Sequence, residues 1–161
     1  MKRFLLMKQI PLDPNLGRLC LRVVCFLTLF LKHGTEKIFT FGAMEQTFAA
    51  HNLDPLHIGP VPSLVFAALA DGICTLLLVV GLATRWAALI TFVNVFVAWA
   101  LVHHFALLGK GQDHGELMVL YLGACLMLFF GGAGKYSVDA LIDDAREEKK
   151  PASSPATMAR A

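Results

Sequence analysis

Ionisable side chains interrupt apolar runs at four places in this chain, and their types are those that move protons, donate hydrogen bonds or bind metals. The stretch LFLKHGTEKIF, residues 29–39, sets Lys32, His33, Glu36 and Lys37 between Leu29 and Phe39. Asp71 is the single acid of SLVFAALADGICTLLLVVGL, residues 63–82. His103 and His104 follow a third apolar run, and Glu116 lies near the start of a fourth. An imidazole titrates near neutrality, so a histidine near a carboxylate can pass a proton or donate a hydrogen bond. The imidazoles of His33, His103 and His104 with the Asp71 carboxylate would also suit zinc or copper. Against a metal, adjacent histidines on a helix point about 100° apart, so one ion rarely takes both His103 and His104.

These groups are placed by elements that the composition assigns to a bilayer. The chain has 161 residues, 57% hydrophobic and 16% charged, whereas soluble domains sit near half apolar and about a quarter charged. A formal net charge of +2 is too small to argue for nucleic acid. Cys20, Cys25, Cys74 and Cys125 each lie inside an apolar stretch and none forms a Cys-x-x-Cys pair. They read as buried small hydrophobes rather than zinc ligands or a dithiol. The opening MKRFLLMKQIPLDP has basic residues but only a short apolar run before Lys8 and no small-residue cleavage site, so the first hydrophobic segment is expected to be retained.

Four segments reach or approach the roughly 20 residues needed to cross a bilayer. They run from about Leu16 to Thr40, Ser63 to Leu82, Trp86 to about Leu108, and about His114 to Gly131. No strand alternation is present, so the expected fold is all-α: an integral membrane four-helix bundle, antiparallel. Residues 1–15 read as a cytoplasmic N-terminal segment, 16–142 as the transmembrane domain, and 143–161 as a charged, disordered cytoplasmic tail. Residues 42–62 read as a long loop in which the prolines and glycine of NLDPLHIGPVP prevent a continuous helix, while Ala83 to Arg85 can only be a tight hairpin. Lys2, Arg3, Lys8, Arg18, Arg85, Lys135, Arg146, Lys149, Lys150 and Arg160 fall on one side; Lys32, Lys37 and Lys110 fall on the other. By the positive-inside rule both termini are expected to be cytoplasmic.

That orientation sends His33, His51, His57, His103, His104 and His114 to the outer half. Counting 1.5 Å per residue from the cytoplasmic ends puts Asp71 at about 16 Å, His33 at about 22 Å, Glu116 at about 24 Å and the histidine pair at about 25–27 Å. All four heights lie within a hydrocarbon core about 30 Å thick. Arg22, Phe26, Leu29, His33 and Lys37 recur in steps of four and three and share one face, as do Asn94, Ala98, Leu101 and His104. Gly34, Ala67, Ala68, Gly72, Gly123 and Ala124 would let helices approach closely. Charges at such depth pair with one another or line a wet cavity. Asp71, too short to reach the interface, has His33, Lys37 and Arg22 as its candidate partners. Alternatively these groups only hold helices together or reach for the interface.

Three stretches resemble the DoxX family of small four-helix membrane proteins. HGTEKIF, His33 to Phe39, is similar to the family's His-Gly-x-x-Lys-hydrophobic-Phe; ADGICTLLLVVGLATR, Ala70 to Arg85, to an acid, glycine, leucine run and Gly-Leu-x-Thr-Arg. GELMVLYLGACLMLFFGGAGKYSVDALI, Gly115 to Ile142, is similar to Gly-Glu-x-Ala-x-x-Tyr followed by Gly-Pro-Gly-Arg-Tyr-Ser-x-Asp. Asp71 stands where the family usually has glutamate, shortening its reach by one methylene. Ala133 replaces the proline, implying a looser turn, and Lys135 replaces the arginine, which loses bidentate hydrogen bonding. The resemblance implies a multi-pass protein of the bacterial inner (plasma) membrane, a subunit linked to quinone-dependent thiosulfate oxidation or to complexes handling thiol or oxidative stress. The sequence carries no haem, flavin or iron–sulfur motif.

The expected function is therefore a small subunit of a membrane redox complex that interacts with quinone, beside a partner redox subunit or further copies of itself in the lipid bilayer. In that reading His33 or His104 donates to the quinone, Asp71 or Glu116 relays protons, and Trp99 or Phe105 flanks the ring. Lys37 completes the polar layer, with Arg22, Asn94 and His103 as further candidates. The alternatives are a non-catalytic anchoring or assembly module, in which the polar layer fixes helix register, and a histidine-rich metal-binding protein.

Overall fold

The computed structural model describes residues 13–51, 53–55, 57–105, 107 and 115–149. Six helices and no strand occur among these residues: α1 (Pro14–Phe39), α2 (Phe41–Ala50), α3 (Pro60–Val80), α4 (Thr84–Leu101), α5 (Gly115–Gly131) and α6 (Val138–Glu148). Helices α1, α3 and α4 are long and apolar enough to cross a membrane, and α5 is a shorter apolar helix of 17 residues. Phe26, Leu29, Leu78, Ala88, Cys125 and Leu128 are buried between them, while Val24, Leu31, Leu120 and Phe130 face outward. Apolar side chains on both faces are what lipid on one side and helices on the other require.

The repeating face of α1 packs inward. Arg22, Phe26 and Leu29 are buried, His33 and Lys37 partly so. Gly34 and Gly72 account for the close approach of α1 and α3. A Cβ at Gly34 would collide with the Asp71 carbonyl, and one at Gly72 would sit 3.1 Å from Ile38 Cδ1. Gly123, in contrast, is exposed and faces nothing within 4 Å. Three π-helical turns interrupt the regular ladders, at Arg22–Phe26, Phe30–Gly34 and Leu69–Cys74. They contain Arg22, His33 and Asp71 respectively. Such turns displace backbone carbonyls and gather at functional sites; near Asp71 the Thr75 hydroxyl donates to the carbonyls of Asp71 at 2.6 Å and Gly72 at 2.9 Å.

One pole is tied by backbone acceptors. Arg22 donates to the carbonyls of Ala133 and Tyr136, both at 2.7 Å, and of Val79 at 3.4 Å. Val79 lies in the last turn of α3, whose carbonyls have no partners within the helix, while Ala133 and Tyr136 belong to the connection after α5. Gly81 closes α3 at φ +74, and a Cβ on it would meet Arg22 and Ser137. The Asp139 carboxylate accepts from the N–H groups of Ala83 at 2.7 Å and Thr84 at 3.0 Å, capping the start of α4. Tyr136 donates to Asp13 at 3.1 Å, and Lys135 lies 3.6 Å from the same carboxylate. The start of α1, the α3–α4 hairpin and the end of α5 thus share one pole.

The elements depart from the sequence expectation in three places. Residues 41–50, expected as loop, form α2, because every proline of that connection and its turn-forming Gly59 come after His51. Helix α4 ends at Leu101 rather than near Leu108, and His104 and Phe105 take positive φ. The charged stretch beyond Ile142, expected to be disordered, is helical as far as Glu148, with Ser137 capping α6 by accepting from Ala140 N–H at 3.2 Å. Residues 150–161, the rest of the expected tail, and residues 1–12 lie outside the described residues.

Candidate functional site

Midway along α3 the π turn aims Asp71 between α1 and α4. Lys37 Nζ donates to one carboxylate oxygen at 2.6 Å and Asn94 Nδ2 to the other at 2.8 Å. Asp71 is 4% exposed and Asn94 8%, so three helices are joined by charge-assisted hydrogen bonds shielded from water. One pairing follows from sequence spacing: Lys37 shares the inward face of α1. Of the other two candidates, Arg22 is committed to the basic pole and His33 lines the cavity, while the Asp71 oxygens take Lys37 and Asn94.

A cavity of about 460 Å³ opens beside this triad. Its polar lining is His33, Glu36, Lys37, Thr47, Ser63, Asp71, Asn94 and His103, and the rest of the lining is apolar, with Phe48, Leu53, Phe66, Val97 and Met118 among it. Ligand sites have this composition, mostly apolar with a few convergent polar groups. The His103 Nδ1 atom is buried and without a hydrogen-bond partner among the described residues. Lysine carries three donor hydrogens and asparagine two, so Lys37 and Asn94 have donors beyond those given to Asp71. The arrangement can hold a hydrogen-bond-accepting headgroup against an apolar wall.

The remaining candidates are distributed elsewhere. His104 is exposed in the turn after α4, and Glu116 is exposed on α5 beside Leu117 and Leu120. Neither lines the cavity, so the expected layer of His33, Lys37, Asp71, His104 and Glu116 is only partly assembled. Trp99 and Phe105 pack edge to face at 5.1 Å, together with Phe96, and neither lines the cavity. No group of three histidine, cysteine or acidic side chains suited to a metal occurs among the described residues. Cys74 and Cys125 are buried as expected, whereas Cys25 is only partly buried and Cys20 is exposed.

Sequence reasoning missed the outer wall. Helix α2 and the loop after it supply Met44, Phe48, Leu53 and Ile58 to the cavity. Asp54 holds this loop by accepting from the N–H of Gly59 at 2.6 Å, the N–H of Ile58 at 3.1 Å and the Ser63 hydroxyl at 2.8 Å. Burial raises the Asp54 pKa, but the hydrogen bonds from Ser63, Gly59 and Ile58 outweigh that and hold it below the usual carboxylate range. The signal available in sequence was the acid five residues before Gly59-Pro60, a turn and helix-start pattern.

The family model described as DoxX matches residues 17–104. That span contains Lys37, Asp71, Asn94 and His103 and ends before the third resembling stretch. A Haemophilus influenzae protein described as an uncharacterized protein is 31% identical over 117 residues, covering 69% of this chain and 80% of that protein. No solved structure matches. With more than half of its length matched, this multi-pass membrane chain belongs to the DoxX family.

Proposed function

We propose that this protein is a quinone-binding subunit of a membrane redox complex, with the headgroup received at the Lys37–Asp71–Asn94 end of the cavity. The observation that carries the reading is an apolar cavity of about 460 Å³ that reaches donors fixed by a buried carboxylate, with the buried, unpartnered Nδ1 of His103 elsewhere in its lining. A quinone, when bound, supplies two-electron, two-proton chemistry. Its carbonyls accept hydrogen bonds, which is what Lys37, Asn94 and an imidazole offer. His33 and His103 line the same cavity, and an imidazole can both donate and accept a hydrogen bond, which suits it to hold or pass a proton. Asp71 acts by fixing the two donors, a positioning role.

The family resemblance supports a partner redox subunit and the bacterial inner membrane. The proposed topology is a four-helix crossing by α1, α3, α4 and α5, with both termini cytoplasmic. Its support is the pole shared by Arg18, Arg22, Arg85 and Lys135. A second reading, a non-catalytic assembly module, is favoured by one observation: both oxygens of Asp71 are already satisfied within the chain. The two separate in one experiment. Protein purified in mild detergent is expected to carry extractable quinone, and the double variant Lys37→Met with Asp71→Asn to keep its fold and lose it. A wild type free of quinone that also fails to bind an added benzoquinone would leave the assembly module.

A further inference from the structure

The cavity has a side, as well as an end at Asp71. Helix α3 does not follow α4 along its whole length. Leu69–Cys74 and Thr75–Val80 pack on α4, while the outer part, Pro60–Ala68, packs on α2 and on the end of α1. The outer halves of α3 and α4 therefore diverge, and cavity-lining residues stand along both edges of the gap. Phe66 on α3 and Val93 on α4 line the cavity and are each 44% exposed; Val102, just beyond the end of α4, lines it and is also exposed. The α1–α3 seam is different. There Gly34 and Gly72 bring the helices too close for a side chain, and α2 covers its outer end.

From this we infer that the cavity opens laterally into the bilayer between α3 and α4, and that its ligand is a two-part lipid. A hydrogen-bond-accepting ring lies at the Asp71 end, and a hydrocarbon chain leaves past Phe66 and Val93. This rests on the quinone reading and narrows it to quinones carrying a long chain. Every residue named at the mouth is apolar, so nothing there would be desolvated at a cost by a chain. A membrane lipid reaches such a mouth without leaving the hydrocarbon, whereas a water-soluble quinone would have to pass Phe48, Leu53 and Ile58 from the outer side.

The test uses the full chain in nanodiscs and two benzoquinones with the same ring, one chainless and one bearing a decyl chain. Val93→Trp narrows the mouth, and is expected to weaken the decyl compound about tenfold more than the chainless one, the equivalent of roughly two buried methylenes. A decyl analogue with a photoreactive group at the chain end should label the peptides holding Phe66 or Val93. Saturable binding of both compounds with equal sensitivity to Val93→Trp, or labelling confined to Phe41–Ala50 and the loop at Leu53–Ile58, would overturn the lateral route while the headgroup site stands. Saturable binding of neither compound would overturn both.

Discussion

Asp71 is tied to Lys37 at 2.6 Å and to Asn94 at 2.8 Å, so its removal strands a buried ammonium. Breaking one side of a buried pair typically costs about 3–5 kcal/mol, whereas removing both partners is far milder. Asp71→Asn is expected to lower the thermal stability of the purified protein well below that of Asp71→Asn with Lys37→Met. A double variant equal to the sum of the singles would mean that the pair contributes no coupling. This partner was legible in the sequence because Lys37 recurs with Arg22, Phe26, Leu29 and His33 on one face of α1. The choice between His103 and His104 was not. It depends on where α4 stops, and the sequence after Leu101 offers no glycine until Gly109 and no proline. Glu116 was equally hard to place, because α5 is apolar all round and periodicity does not say which side faces its neighbours.

At the scale of elements, α1 and α3 were legible from length and hydropathy, and their closeness from Gly34 and Gly72. A methyl group at Gly34 has the Asp71 backbone carbonyl in its way. Gly34→Ala is therefore expected to cost about 1–3 kcal/mol, the range for overpacking, read as a lowered denaturation midpoint, whereas Gly123→Ala, in open space, should be neutral. Equal effects at the two glycines would remove the close contact from the account of the fold. The π turns were not legible, since they express a local conflict between ladder and packing rather than any residue pattern. Helix α2 was obscured by the prolines that follow it. Its loop is pinned by Asp54, whose pKa is lowered by the Ser63, Gly59 and Ile58 hydrogen bonds against the opposing effect of burial. A carboxylate with a depressed folded pKa stabilises above its unfolded pKa, and that contribution is lost as pH falls through the folded value. Protection of the Ile58 and Gly59 amides, measured as exchange relative to the intrinsic rate at each pH, should therefore fall on acidification in the wild type. Asp54→Asn should show low protection already at neutral pH; a pH-independent protection factor in the wild type would contradict the latch.

For the whole molecule, the two poles differ in kind. One gathers Arg18, Arg22, Arg85 and Lys135 around helix ends tied by Arg22 and Asp139, with Asp13 as a counter-charge. The other carries helix α2 with His51 at its end, and the cavity runs from there toward the triad. Lys and Arg are retained on the cytoplasmic side during insertion, so the basic pole is expected to face the cytoplasm and the cavity the outer leaflet. The Asp71 pair then lies near the middle of the bilayer, at the inner end of a cavity that the proposed α3–α4 opening would connect to the outer leaflet. In a variant lacking the four native cysteines, a single cysteine at position 51 should react with a membrane-impermeant maleimide added to intact cells. One at position 85 should react only after the cells are opened. The comparison is internal, since both positions are exposed and only the membrane separates them. Labelling at 85 from outside would invert the molecule, placing the cavity in the cytoplasmic leaflet. The headgroup site would survive that result, but its ligand would then come from the inner half of the bilayer.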